Sequence, residues 1–190
     1  YIANKEKSPD LLFALGEYGQ AIDLINLKLQ SNPGNHQLIF LKGRSQLMLN
    51  QHDKAASTFL DALAFKLDSN YLNGLGHAYS KLNQINKSLA AYNKSISINN
   101  KNSYAYFNAG LLLENTNNHK RAAKYFYSAG TSALLNKDFV RANNALDALQ
   151  RLSNSKSSIK NKATKLEKLI LDLSDDKDKD FKIIKVNSKG

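Results

Sequence analysis

The chain has no cysteine and no tryptophan. Among its 190 residues there are two prolines and one methionine, and valine occurs only as Val140 and Val186. Without cysteine, disulfides and thiolate-ligated zinc are excluded. The compartment stays open between a bacterial periplasm or envelope and a cytoplasm. Scarce valine beside abundant Leu, Ala, Asn, Lys and Ser argues against an all-β protein. Two prolines favour long helices. No apolar run approaches the roughly 18 residues of a spanning helix, and "LLFALGEYG" and "LIFLKG" are short and interrupted. The chain opens on Tyr1 rather than Met. A processed chain is therefore expected, with membrane attachment arising only from a segment absent from this sequence. Arginine is confined to Arg44, Arg121, Arg141 and Arg151, and no long basic block exists despite a formal charge of +11. Nucleic acid is therefore a disfavoured partner. A hydrophobic content of 42% excludes disorder as a whole.

The motifs of catalysis are missing as well. "LKGRSQL" holds a single glycine and is no phosphate loop, and there is no G-x-S-x-G elbow. His36, His52, His77 and His119 stand too far apart in sequence for metal-ligand spacing. Asp176, Asp178 and Asp180 begin like a calcium loop. However, Phe181 occupies the required glycine and Asn187 the bidentate glutamate. The acidic residues form no catalytic pair. No enzyme activity, metal or cofactor is expected.

What is present is a repeat. Ala21, Ala55, Ser88 and Ala122 follow one another at steps of 34, 33 and 34. Four residues after each come Ile25, Phe59, Tyr92 and Phe126, and three further on Lys28, Ala62, Ser95 and Ala129. Twelve residues before the small residue stand Pro9, Gly43, Gly76 and Gly110. A small residue and a bulky one four later share a helix face. The small residue reads as the hole and the bulky one as the knob of stacked helices. The polar turns "EYG", "NQHD", "NQIN" and "NNHK" divide each unit into two antiparallel helices. One such pair cannot cover its own apolar face, so the units must stack.

The pattern resembles the tetratricopeptide repeat (TPR) over about residues 8–135. Leu75-Gly76-x-x-Tyr79 matches the family's first-helix signature. Ala55/Phe59/Ala62 and Ala122/Phe126/Ala129 match its second-helix signature, and Pro33 its terminal proline. Ile39, Leu72 and Tyr106 replace the usual tryptophan. The resemblance implies an all-α solenoid with repeats at about 1–34, 35–68, 69–101 and 102–135. Degenerate or capping helices are expected over 136–174 and a charged tail over 175–190. Residues 1–174 are expected to form one superhelical domain. Ser8-Pro9 reads as a helix start. Phe139, Ala142, Leu146, Leu149 and Leu152 share one helix face, as do Ile159, Ala163, Leu166, Ile170 and Leu173.

In the resembled family the first helices of the repeats line a groove that holds a peptide or a partner's helix. Carried over by position, the groove slots fall on Gln37, Phe40, Arg44, Asn73, His77, Lys81, Tyr104, Phe107, Asn108 and Leu111. The lysine and asparagine clamp of chaperone-tail adaptors is not reproduced, because Glu6, Asp10, Phe40 and Arg44 occupy its slots. The resemblance implies a non-enzymatic adaptor or scaffold in the assembly of a bacterial envelope machine, such as a pilus or a secretion system. Its partner would be another protein, with self-association open. A secretion chaperone holding an unstructured client is the alternative, and a nucleic-acid-associated regulator a distant one.

Overall fold

The computed structural model describes residues 8–153 and 157–187, and every regular element among them is an α-helix. The chain divides into two compact units, Tyr1–Asn99 and Asn100–Gly190. The first holds α1 (Pro9–Ala14), α2 (Tyr18–Ser31), α3 (His36–Met48), α4 (His52–Phe65), α5 (Ser69–Lys81) and α6 (Ile85–Ile98). The second holds α7 (Ser103–Asn115), α8 (His119–Leu135), α9 (Phe139–Ser153) and α10 (Ser157–Asn187). Within the first unit each helix packs on the next, and α3 also meets α1 and α5. Within the second, α8 packs on α7, α9 and α10. The fold class is an all-α solenoid of helical hairpins.

The hairpins are punctuated by local chemistry that recurs with the period. Ser8, Asn35, Asp68 and Asn102 cap α1, α3, α5 and α7, accepting hydrogen bonds from the N–H groups of Leu11, Leu38, Asn70 and Ala105. Pro9 opens α1, where its missing N–H is not needed. The same four helices end on a residue with left-handed backbone: Gly16, Asn50, Asn83 and Asn117. The N–H of the following residue then bonds five carbonyls back, as in Gln51 to Gln46 at 2.8 Å and Gln84 to Tyr79 at 2.9 Å. This closure satisfies carbonyls that the helix end leaves bare. Asparagine recurs there because it tolerates the left-handed region better than most residues with a side chain. Lys137, between α8 and α9, takes the same conformation without that tolerance.

The knobs Phe59, Tyr92 and Phe126 are buried, as are Ala55, Ser88 and Ala122. Each ring lies against the glycine of the preceding helix. A Cβ added at Gly43 would lie 2.7 Å from the Phe59 ring, at Gly76 2.6 Å from Tyr92, and at Gly110 2.7 Å from Phe126. Gly74, which stands outside the repeat pattern, closes the other side of Phe59 at 2.8 Å. The small residue of the second helix serves a different end where it is serine. The Ser88 hydroxyl donates to the Gly76 carbonyl, and the Ser95 hydroxyl to the Ser69 carbonyl, both at 2.7 Å. Each buried hydroxyl is thereby satisfied.

In the second unit, Ala142, Leu146, Leu149 and Leu152 of α9 and Ile159, Ala163, Leu166 and Ile170 of α10 are buried, as their spacing predicts. Leu173 is not: it is 42% exposed, because the face leaves its neighbours one turn earlier. Leu166 closes on Gly130 of α8 as the rings close on theirs. The stretch read as a charged tail is helical up to Asn187. It contains neither Pro nor Gly before Gly190, and Asp175 and Asp178 stand four residues before Lys179 and Lys182. That spacing supports a helix. Glu6 and residues 188–190 lie outside the described residues.

Candidate partner-binding surface

The buried glycine of each first helix fixes which way the rest of that helix points. At about 100° per residue, positions six before, one after and five after the glycine fall on one narrow stripe. On α3 these are Gln37, Arg44 and Met48. On α5 they are Asn70, His77 and Lys81. On α7 they are Tyr104, Leu111 and Asn115. Of these only Leu111 is half-buried, and the rest are exposed. Asn70 and Asn115 join a stripe that the carried-over slots omitted. The positional regularity of the exposed residues was the signal for them.

In the first unit, Arg44 holds its guanidinium 4.4 Å from the Phe13 ring centroid and 5.9 Å from that of Phe40, a cation–π arrangement that bridges α1 and α3. Phe40 is turned away from the stripe. Its ring stacks on Tyr71 at 4.5 Å and tilts against Phe59 at 5.7 Å, filling the space between α3, α4 and α5. Tyr71 also meets His36, with its hydroxyl 2.7 Å from the imidazole Nδ1. Burial, and then the Asp68 charge, raises the Tyr71 phenol above its usual range. Asn73 is half-buried beside the stripe. His77 and Lys81 stand one turn apart on α5. His77 keeps exposed surface, yet its ring lies close enough to the protein for desolvation to lead in lowering its pKa below 6.5. The charges of Lys81 and His52 act in the same direction. A separate cleft of about 320 Å³ is lined by Leu29, Pro33, Ile39, Lys42, Asp61 and Phe65. None of the groove residues expected from the sequence lines it.

In the second unit α9 reaches one end of the stripe at Tyr104. The Arg141 guanidinium lies 3.6 Å from the centroid of Tyr104 while also pairing with Asp138. Arg151 of α9 clasps Glu114 of α7 through two hydrogen bonds of 2.9 and 2.8 Å. This pairing raises the arginine pKa further. Phe107 and Leu111 are half-buried, with Phe107 tilted against Phe126 at 5.3 Å. Asn108 is half-buried. Among the described residues, no cluster of three or more His, Asp or Glu could hold a metal ion. None of the described helices is long and apolar enough to cross a membrane.

The family model described as TPR repeat matches residues 76–117, which run from the glycine of α5 to the end of the turn after α7. The fold is that of a tetratricopeptide repeat protein. A crystal structure of MamA superposes with a TM-score of 0.66 at 17% identity, covering 90% of this chain and 96% of that one. The thermophilic TPR protein TTC0263 of Thermus thermophilus gives 0.60 at 15% identity, covering 83% and 94%. YrrB, described as a TPR protein with an unusual peptide-binding site, gives 0.54 at 19% identity, covering 84% and 88%. At these identities the likeness is one of fold. No curated protein matches the chain.

Proposed function

We propose that this tetratricopeptide fold serves as a non-enzymatic protein-interaction adaptor that takes a partner's peptide or helix along the exposed stripes of its first helices. The observation that carries this reading is the shared register. Gln37, Arg44 and Met48 on α3 repeat as Asn70, His77 and Lys81 on α5, while the opposite sides of both helices are buried against Phe59 and Tyr92. Adjacent helices exposing equivalent positions make a surface suited to a chain laid across them, with amide side chains able to bond its backbone. The peptide-binding site named for YrrB gives the same kind of role to a protein of this fold. The finer reading is a part in assembling a bacterial envelope machine such as a pilus or a secretion system.

A photo-crosslinking residue placed at position 77 or 37, compared with one at Lys94 on α6, tests the surface. Crosslinks to a protein from 77 and 37 but not from 94 are expected in extracts of the native organism. Crosslinks from 94 alone would move the interface off the stripe. Crosslinks to many unrelated unfolded chains would favour the chaperone alternative.

A further inference from the structure

We infer that the stripe on α3 and α5 is built for an acidic, extended peptide segment, an inference that rests on the peptide-binding reading above. Between Asp68 and Glu114 the sequence holds no acidic residue, and α3 holds none either. The two helices therefore present Arg44, His77 and Lys81 with no carboxylate on either of them. Among the described residues, none of these three forms an ion pair. The described acids of the first unit lie on other elements. Glu17 stands at the N-cap of α2 and Asp23 on that helix, Asp53 and Asp61 are on α4, and Asp68 caps α5 beside Lys66 at 3.9 Å. Asp10 of α1, one residue after Pro9 in the slot of the other first-helix glycines, is exposed and bounds the basic strip on the α1 side.

The contrast with the second unit is informative. There the stripe of Tyr104, Leu111 and Asn115 carries no charge, and the arginines of α9 pair with Asp138 and Glu114. On α3 and α5 the stripe itself holds Arg44 and Lys81, and their charge is left for a ligand. Desolvation first, and then the charge of Lys81, favour the neutral form of His77, so Arg44 and Lys81 carry the charge of the stripe. Charge complementarity then selects a negatively charged partner.

A protein segment fits better than a nucleic acid. The two rings at the stripe are both engaged within the protein, Phe13 by the Arg44 guanidinium and by Tyr18, and Phe40 by Tyr71, and offer no platform for bases. The neutral polar positions are Gln37 and Asn70, which suit a peptide backbone, and Met48 offers an apolar contact. Packed helices stand about 8–10 Å apart. Residues i and i+3 of a polyproline-II segment share a face about 9 Å apart. Acidic side chains at every third position would thus reach Arg44 on one helix and Lys81 on the next.

The test is fluorescence anisotropy of the full chain with a labelled extended peptide carrying Asp at every third position. It is compared with the same peptide bearing Asn or Lys there, and with an oligothymidylate. The Asp peptide is expected to bind more tightly than the Asn peptide, and to weaken as salt rises because exposed charges are screened. Arg44→Ala/Lys81→Ala should weaken it by about three- to tenfold. Arg44→Glu/Lys81→Glu should turn the preference to the Lys peptide, with circular dichroism confirming that both variants fold. Equal binding of the Asn peptide would overturn the acidic preference and leave the groove standing. Binding of the oligothymidylate in place of the Asp peptide would overturn the choice of partner. An Asp peptide insensitive to both double substitutions would overturn the site. If no peptide binds, this inference falls, and the crosslinks from positions 37 and 77 decide separately whether the groove is used.

Discussion

Two glycine-to-alanine substitutions should act in opposite directions, and the difference measures how tightly the repeats are joined. Each gains about 0.5–1 kcal/mol from the lower backbone entropy of alanine in a helix. At Gly19 in α2 a new Cβ meets nothing within 4 Å, so that gain should appear as added stability. At Gly76 in α5 the same methyl would lie 2.6 Å from two carbons of the Tyr92 ring, which is 2% exposed. Carbon contacts settle near about 3.5–4.0 Å. The ring or the helix must therefore retreat by about 1 Å in a core with no free space on either side. Overpacking of this kind costs about 1–3 kcal/mol. Gly76→Ala should thus fall about 1–3 kcal/mol below Gly19→Ala despite identical chemistry. For a chain of this length that corresponds to roughly 2–4 °C of melting temperature per kcal/mol. Thermal unfolding followed by circular dichroism at the helical band reads the shift. Tyr92→Leu, which leaves a cavity alone, should be partly relieved by Gly76→Ala, giving a coupling of about 0.5–3 kcal/mol in the double-mutant cycle. If the two alanine variants melt together, or if the cycle is additive, the close seating of the ring on the glycine does not govern hairpin packing.

Three further outcomes follow from particular contacts. Lys137→Gly should stabilise the protein by about 0.5–1 kcal/mol in chemical denaturation, because the left-handed backbone between α8 and α9 strains a residue with a side chain. Unchanged stability would mean the turn relaxes without cost. Phe59→Ala should lose about 3–5 kcal/mol, since its ring is 0% exposed and seated between Gly43 and Gly74. A loss below about 1 kcal/mol would show that α3 and α5 collapse freely onto the vacancy. The His77 imidazole should titrate by NMR below its usual 6.5, and Lys81→Ala should raise the midpoint only part of the way, because desolvation leads the shift. The sign for stability follows from the lowered pKa. As pH falls through 6.5 the unfolded chain takes up the proton first, so a penalty to folding from His77 grows between 6.5 and its own midpoint and persists below it, weakly because the residue is exposed. A midpoint at or above 6.5 would contradict this electrostatic account.

Much of this architecture is written locally. The step of 34, 33 and 34 residues, the knobs Phe59, Tyr92 and Phe126, the cap at Ser8 and the asparagine turns are all legible in the sequence. Each depends on residues within one helix or one turn. A periodic face must be buried, a capping side chain reaches only two or three residues on, and a left-handed turn selects Gly or Asn. Helix α10 shows the limit of that reading. The charges of residues 175–180 suggest a linker, while their spacing without Pro or Gly permits the helix that forms.

What the sequence could not decide is where residues distant in the chain come to rest. Phe40 and Arg44 stand one turn apart on α3, and both were expected to face a partner. One stacks in the core on Tyr71, 31 residues away, and the other stays on the surface over Phe13, 31 residues back. Gly74 and Gly130 had no periodic signature, yet they receive Phe59 and Leu166 as the predicted glycines receive their rings. Tyr104 reads as an open position on α7 until Arg141 reaches it from α9. A helix's buried face follows from its own period, so the sequence determines it. The side chain that meets each edge of that face depends on how one hairpin is rotated against the next. That rotation is set by all the packing contacts together, and only the tertiary structure decided it.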